Sequence, residues 1–237
     1  MRRLRTDEDQ FLEGNHKIAI ILIHAFTGNP TYMHPLALKL NRVGYSVYLP
    51  CLTGHGTKDP MDCLRPDPNQ WREDVTTAYE KMVADGYEKI VIMGLSLGGL
   101  LATDACERLA VFAGGSFAGP IAHVDNEKSK LMNEFKTYVS RLGHDPIEPE
   151  VITGQFNRIK ALTTEVEQNL SKITAPFLVV QGGKDEIVDP RVAEKAETLL
   201  VNTSVKTLWY PNSPHVLTFG PDRHTFEQDL VDYLNSL

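Results

Sequence analysis

Four runs of this chain, KIAIILIH (17–24), YSVYLP (45–50), KIVIMG (89–94) and APFLVVQG (175–182), are apolar at almost every position. A strand with one wet face alternates apolar and polar residues. A strand that does not alternate is covered on both faces. Helical periodicity fills the intervals: Pro35 to Val43, Asn69 to Asp85, Leu97 to Ala110, Pro190 to Leu200 and about Asp222 to Leu237. Further strands are expected at VFAGGSF (111–117), weakened by its glycines, and at VKTLWY (205–210). This alternation is the pattern of an α/β fold with a mostly parallel central sheet flanked by helices. The rhythm breaks from Gly119 to Leu170, which is polar and helix-like around a Gly/Pro-rich middle, GHDPIEPE (143–150). Residues 1–118 and 171–237 read as one core, and residues 119–170 as a small cap inserted over the C-terminal edge of the sheet.

The net charge of −7 argues against nucleic acid or anionic lipid as the main partner. No apolar run is long enough to span a bilayer. The N-terminus, MRRLRTDEDQ, turns acidic before any apolar stretch and does not read as a signal peptide. Cys51, Cys63 and Cys106 are odd in number and form no C-x-x-C pair, so they read as free thiols in a reducing cytoplasm. The histidines are scattered without ligand spacing, so neither a metal nor an organic cofactor is expected.

The third apolar run ends in Gly94-Leu95-Ser96-Leu97-Gly98 and passes directly into a helical pattern. The two glycines suit a turn too tight for side chains. Such an elbow holds a serine in a strained conformation at the tip of a sheet, above a helix N-terminus that favours negative charge. A serine hydroxyl needs a base, and the base needs an orienting group. On an elbow of this kind the partners follow in the order acid, then histidine. His215 lies in NSPHVL, directly after VKTLWY, where ligand chemistry gathers on such sheets. His224 falls in the last helix and reads as solvated. The acid comes from QGGKDEIVDP. Asp189 precedes Pro190 as a helix cap would, so Asp185 is the better orienter, with Glu186 a weaker substitute. The oxyanion donors are expected from the backbone N–H groups of Leu97 and of Phe26, the latter in the loop HAFTGNP (24–30). His24 is read as fixing that loop.

The set HAFTGN, LPCLTGHG, MGLSLGG, GGKDEIV and SPHVL resembles the α/β-hydrolase carboxylesterases of the bacterial thermostable-esterase and monoacylglycerol-lipase-like group. The five motifs occur in the expected order over nearly the whole chain. The resemblance implies the α/β-hydrolase fold, a triad of Ser96, Asp185 and His215, and an oxyanion hole at Phe26 and Leu97. In one place the chain departs from the pattern: Ala25 stands where the family usually has glycine.

The expected reaction is hydrolysis of short- to medium-chain carboxylic esters through an acyl-enzyme, with a small-molecule ester as partner. Monoacylglycerol lipase, thioesterase or feruloyl esterase activity on the same triad are alternatives, as is a non-catalytic ligand-binding role. Phe26, Leu97, Ile121, Ile147, Val151 and Phe156 are the expected substrate-binding residues, with Phe135 and Ile159 as further apolar candidates. The sequence leaves the oligomeric state open.

Overall fold

The apolar runs form strands. In the computed structural model, which describes residues 5–124 and 129–237, β2 (Ile18–Ile23), β3 (Ser46–Leu49), β4 (Lys89–Leu95), β5 (Ala113–Phe117), β6 (Phe177–Gly182) and β7 (Val205–Tyr210) run parallel. Residues 1–4, which open the basic N-terminus, and 125–128, inside the expected cap, lie outside the described residues. A short strand with no apolar signature, β1 (Gln10–Leu12), pairs antiparallel with β3 and covers that edge. The sheet order is β1-β3-β2-β4-β5-β6-β7. This is the α/β-hydrolase architecture. β7 lies at the far edge and is only partly buried, with Trp209 50% exposed. Not every strand is therefore sealed on both faces.

Seven α-helices follow among the described residues: α1 (Pro30–Arg42), α2 (Pro68–Ala84), α3 (Leu97–Arg108), α4 (Leu131–Arg141), α5 (Pro149–Asn169), α6 (Arg191–Leu199) and α7 (Arg223–Asn235). Alternate residues of β2 enter different cores. Ile20 and Leu22 join Met33 and Leu36 of α1 and Phe226 and Leu230 of α7. Ile21 and Ile23 join Trp71 and Val75 of α2, Leu100 of α3 and Ala196 of α6. Each fully buried aliphatic side chain contributes about 1.5–3 kcal/mol. Helix α1 begins five residues before the expected Pro35. Asn29 caps it by accepting the Thr31 N–H at 3.0 Å, and Pro30 takes the first helical position. Pro35 is an interior proline, which has no N–H to donate to the Thr31 carbonyl one turn earlier.

The chain leaves β2 toward one edge of the sheet, through β3, and resumes at β4 on the other side of β2. A crevice opens where the strand order reverses in this way. The loop after β2 carries HAFTGN, and the turn after β4 carries GLSLGG. Over this edge, α4 and α5 pack on the loop that follows β3. Phe135, Val139 and Ile152 form a satellite core there with Cys63 and Leu64. Helix α5 is also tied to the main body by charge. Arg72 of α2 reaches both the buried Asp104 of α3, at 2.9 Å, and Glu165 of α5, at 2.8 Å. No helix among the described residues is long and apolar enough to cross a membrane.

Candidate active site

Ser96 occupies the turn between β4 and α3 with φ 55° and ψ −117°. Positive φ in a non-glycine residue costs on the order of 1–3 kcal/mol and persists only where its surroundings enforce it. Here the Ser96 N–H is held by the Phe117 carbonyl at 2.8 Å, and its own carbonyl starts α3 by accepting the Leu100 N–H at 3.0 Å. The flanking glycines are sterically obligatory. A Cβ on Gly94 would overlap the Gly98 backbone, and one on Gly98 would overlap the Ile23 carbonyl at the end of β2.

Asp185 and His215 come together from the loops after β6 and β7. His215 Nδ1 lies 2.9 Å from Asp185 Oδ2, and the Asp185 side chain is fully buried. The carboxylate is further held by the Ile187 and Val188 N–H groups on Oδ1 and by Gln181 Nε2 on Oδ2, each at 2.9 Å. His215 Nε2 has no protein partner among the described residues. The neighbouring acids have other work. Glu186 accepts the His215 N–H at 3.3 Å. Asp189 accepts the Arg191 N–H at 2.9 Å and pairs with its guanidinium at 2.7 Å, and the Arg191 hydrogen bond holds its carboxyl below the usual range. His224 is 86% exposed.

The loop after β2 is set by His24, which donates from Nδ1 to the Ala25 carbonyl at 2.9 Å and accepts the Leu52 N–H on Nε2 at 3.1 Å. Thr27, not Ala25, takes the left-handed conformation, with φ 62°. The methyl at position 25 is therefore accommodated without backbone strain and packs against the core on the α1 side. Among the described residues, neither the Phe26 nor the Leu97 N–H has a protein acceptor. The Phe26 ring sits in an aromatic cluster with His55, Trp71, Phe135 and Phe156, at centroid distances of 5.7, 6.1, 5.8 and 6.0 Å.

Burial, with His55 nearby, pushes the His24 imidazole down to about 3, and burial pushes His55 down to about 4. Free imidazoles titrate near 6.5. The unfolded chain therefore binds more protons than the fold throughout this window. The contribution of these two histidines is complete above about pH 6.5 and falls toward pH 4, by up to about 1.4 kcal/mol per pH unit for each. Burial raises the Glu107 carboxyl to about 8 and adds an opposing slope, so the histidine contribution is read as the difference between wild type and a histidine variant in urea midpoints measured between about pH 7 and about pH 4.5. His55→Phe, which keeps an aromatic ring in the cluster, should flatten the slope.

Ser96 borders two cavities. The larger, about 610 Å3, has walls from Leu97, Val124, Phe156, Ile159, Val188 and Val192. The smaller, about 220 Å3, is lined by Tyr32, Glu134, Phe135, Tyr138, Glu186 and His215. Phe26, Leu131 and Ile187 touch both. Three expected binding residues stand elsewhere. Ile121 is 1% exposed and belongs to the main core, because the chain turns sharply at Gly119 and drives it inward. Ile147 packs against the satellite core. Val151 is 43% exposed, because the phase of α5 turns Ile152 inward and Val151 out. Sequence reasoning missed Val188 and Val192, whose apolar spacing just beyond Asp185 was the available signal. Among the described residues no group of His, Cys, Asp or Glu side chains could hold a metal ion.

The chain matches the family model "Serine aminopeptidase, S33" over residues 14–145 and 125–222. It is 28% identical to a carboxylesterase of Bacillus subtilis (strain 168), covering 92% of this chain and 93% of that protein. It is 26% identical to a thermostable monoacylglycerol lipase of Bacillus sp. (strain H-257), covering 91% and 89%. Among solved structures, one of the metagenome-derived lipolytic enzymes LipS and LipT matches with a TM-score of 0.82 at 21% identity over the full length of both chains. The Paleococcus ferrophilus monoacylglycerol lipase matches with a TM-score of 0.71 at 16% identity, covering 96% and 98%. On fold, motif order and family match together, the chain belongs to the S33 serine aminopeptidase family of α/β-hydrolases, where it stands beside bacterial esterases and lipases.

Proposed function

We propose that this protein is a serine carboxylesterase with Ser96, His215 and Asp185 as its triad. The observation that carries the reading is the coupling of the two loops: a fully buried Asp185 orients His215 beside the cavity that Ser96 borders. Asp185 accepts the Nδ1 proton, which leaves Nε2 as the basic nitrogen. On substrate binding, Nε2 takes the Ser96 proton as Oγ attacks the ester carbonyl. The Phe26 and Leu97 N–H groups receive the oxyanion. His215 then protonates the departing alcohol and activates the water that releases the acid. Residues 119–170 act as the cap over this centre.

The larger cavity is assigned to the acyl chain for its volume and for the apolar side chains of Leu97, Val124, Phe156, Ile159, Val188 and Val192, with His123, Lys160 and Asp189 also on its walls. The smaller takes the alcohol. Its Tyr32, Tyr138, Glu134 and Glu186 suit a hydroxyl-bearing alcohol, which makes monoacylglycerol hydrolysis the second reading. Initial rates on p-nitrophenyl esters from acetate to palmitate should peak at short to medium chains. A maximum at palmitate would favour the lipase reading. A thioester cleaved faster than the ester of the same acyl group would reassign the substrate.

A further inference from the structure

One carbonyl in the loop after β2 is held twice. The Ala25 oxygen accepts the His24 Nδ1–H at 2.9 Å and the Gly28 N–H at 2.9 Å. The direction of the first bond follows from the other ring nitrogen. Nε2 accepts the Leu52 N–H at 3.1 Å, so it carries no proton and Nδ1 carries one. His24 is wholly buried, so water does not compete for either bond. The second donor has its own constraint: a Cβ on Gly28 would stand 2.8 Å from the Ala25 oxygen.

The Ala25 carbonyl and the Phe26 N–H belong to the same peptide unit. A trans peptide is planar, with its C=O and N–H pointing in opposite directions. Fixing the carbonyl therefore fixes the direction of the N–H. Two donors on the oxygen also polarise the amide and strengthen the N–H as a donor. We propose that His24 is a positioning residue of the oxyanion hole: by holding the Ala25 carbonyl, it aims the Phe26 N–H at the oxygen of the tetrahedral intermediate. The proposal rests on the acyl-transfer reading of the site. It assigns His24 a task that no proton transfer requires, and one that depends on the ring staying neutral.

Two substitutions separate the two bonds of the imidazole. In His24→Asn, the amide nitrogen replaces Nδ1 and still donates to the Ala25 carbonyl. In His24→Gln, the longer amide reaches the position of Nε2 and keeps the Leu52 N–H satisfied, but the donor to Ala25 is lost. The readouts are kcat and KM on a p-nitrophenyl ester, and the affinity for a trifluoromethyl ketone of the same acyl group. Ser96 Oγ adds to that ketone carbon, its proton passes to His215, and the former carbonyl oxygen becomes the oxyanion.

His24→Gln is expected to lower kcat about 10- to 100-fold with KM nearly unchanged, and to weaken ketone binding in parallel. His24→Asn should restore most of both. Gly28→Ala, which displaces the second donor, should give the His24→Gln signature and serves in its place if that variant does not fold. A wild-type kcat in folded His24→Gln would overturn the proposal, as would a loss that His24→Asn does not recover. Ser96→Ala, run alongside, keeps the two readings apart. If it retains turnover, the acyl-transfer reading fails and His24 has no oxyanion hole to serve. If it is inactive while His24→Gln is unimpaired, only the role of His24 fails.

Discussion

Ser96→Ala is expected to stay folded and to lose ester turnover by on the order of 10^5 to 10^6 in kcat. The fold has little to lose. The Ser96 side chain makes no capping hydrogen bond to α3, and the backbone bonds at both ends of the residue are independent of Oγ. Alanine is no worse than serine at φ 55°, so the strain of the elbow is unchanged. The chemistry loses its nucleophile, and His215 is left with no oxygen to activate. A residual rate from the Phe26 and Leu97 donors should remain, because oxyanion stabilisation does not need the serine. His215→Ala should fall to a similar depth, and the double variant no further, since the two residues act as one unit. Matched urea midpoints with p-nitrophenyl butyrate rates test this directly. A Ser96→Ala rate within about tenfold of wild type would remove the acyl-enzyme from consideration.

Asp185→Asn is expected to cost about 10^4 in kcat, whereas Asp189→Asn should leave the rate nearly intact. The difference follows from what already surrounds each acid. Two backbone N–H groups, from Ile187 and Val188, point at Oδ1 of Asp185. An asparagine there must present its oxygen to them, which turns its NH2 toward His215 and Gln181. His215 Nδ1 then has to accept, and the imidazole proton moves to Nε2, where it blocks removal of the serine proton. The amide also brings its NH2 against that of Gln181. At Asp189 the oxygen that accepts the Arg191 N–H can remain an oxygen, and only the exposed ion pair is lost. That pair is worth at most about 1 kcal/mol. Rates and denaturation midpoints for both variants, over a range of pH, distinguish a tautomer defect from a folding defect.

The centre of the sheet is legible because β2, β3, β4 and β6 are sealed by helices and write themselves as unbroken apolar runs. β1 is not, since three residues on an antiparallel edge need no apolar signature. The start of α1 is ambiguous in the sequence because Pro35 imitates a first-turn proline, while Asn29-Pro30 holds the true cap. The candidate triad could be read from motif and order because its chemistry demands particular residue types. Pocket walls make no such demand. Whether Val151 or Ile152 faces inward depends on the phase of α5, which neighbouring apolar positions leave ambiguous. Ile121 was drawn into the core by a turn whose geometry involves backbone alone.

The proposed site is gathered from the ends of β2, β4, β6 and β7, and these ends meet only when distant stretches of the chain have paired in register. No contiguous fragment contains it. Loop-closure entropy makes such parallel pairings slow and late. Regain of ester turnover after dilution from denaturant therefore reports the last long-range docking event rather than collapse. It should lag the recovery of helical signal, by an interval that measures how long these strand ends take to come into register.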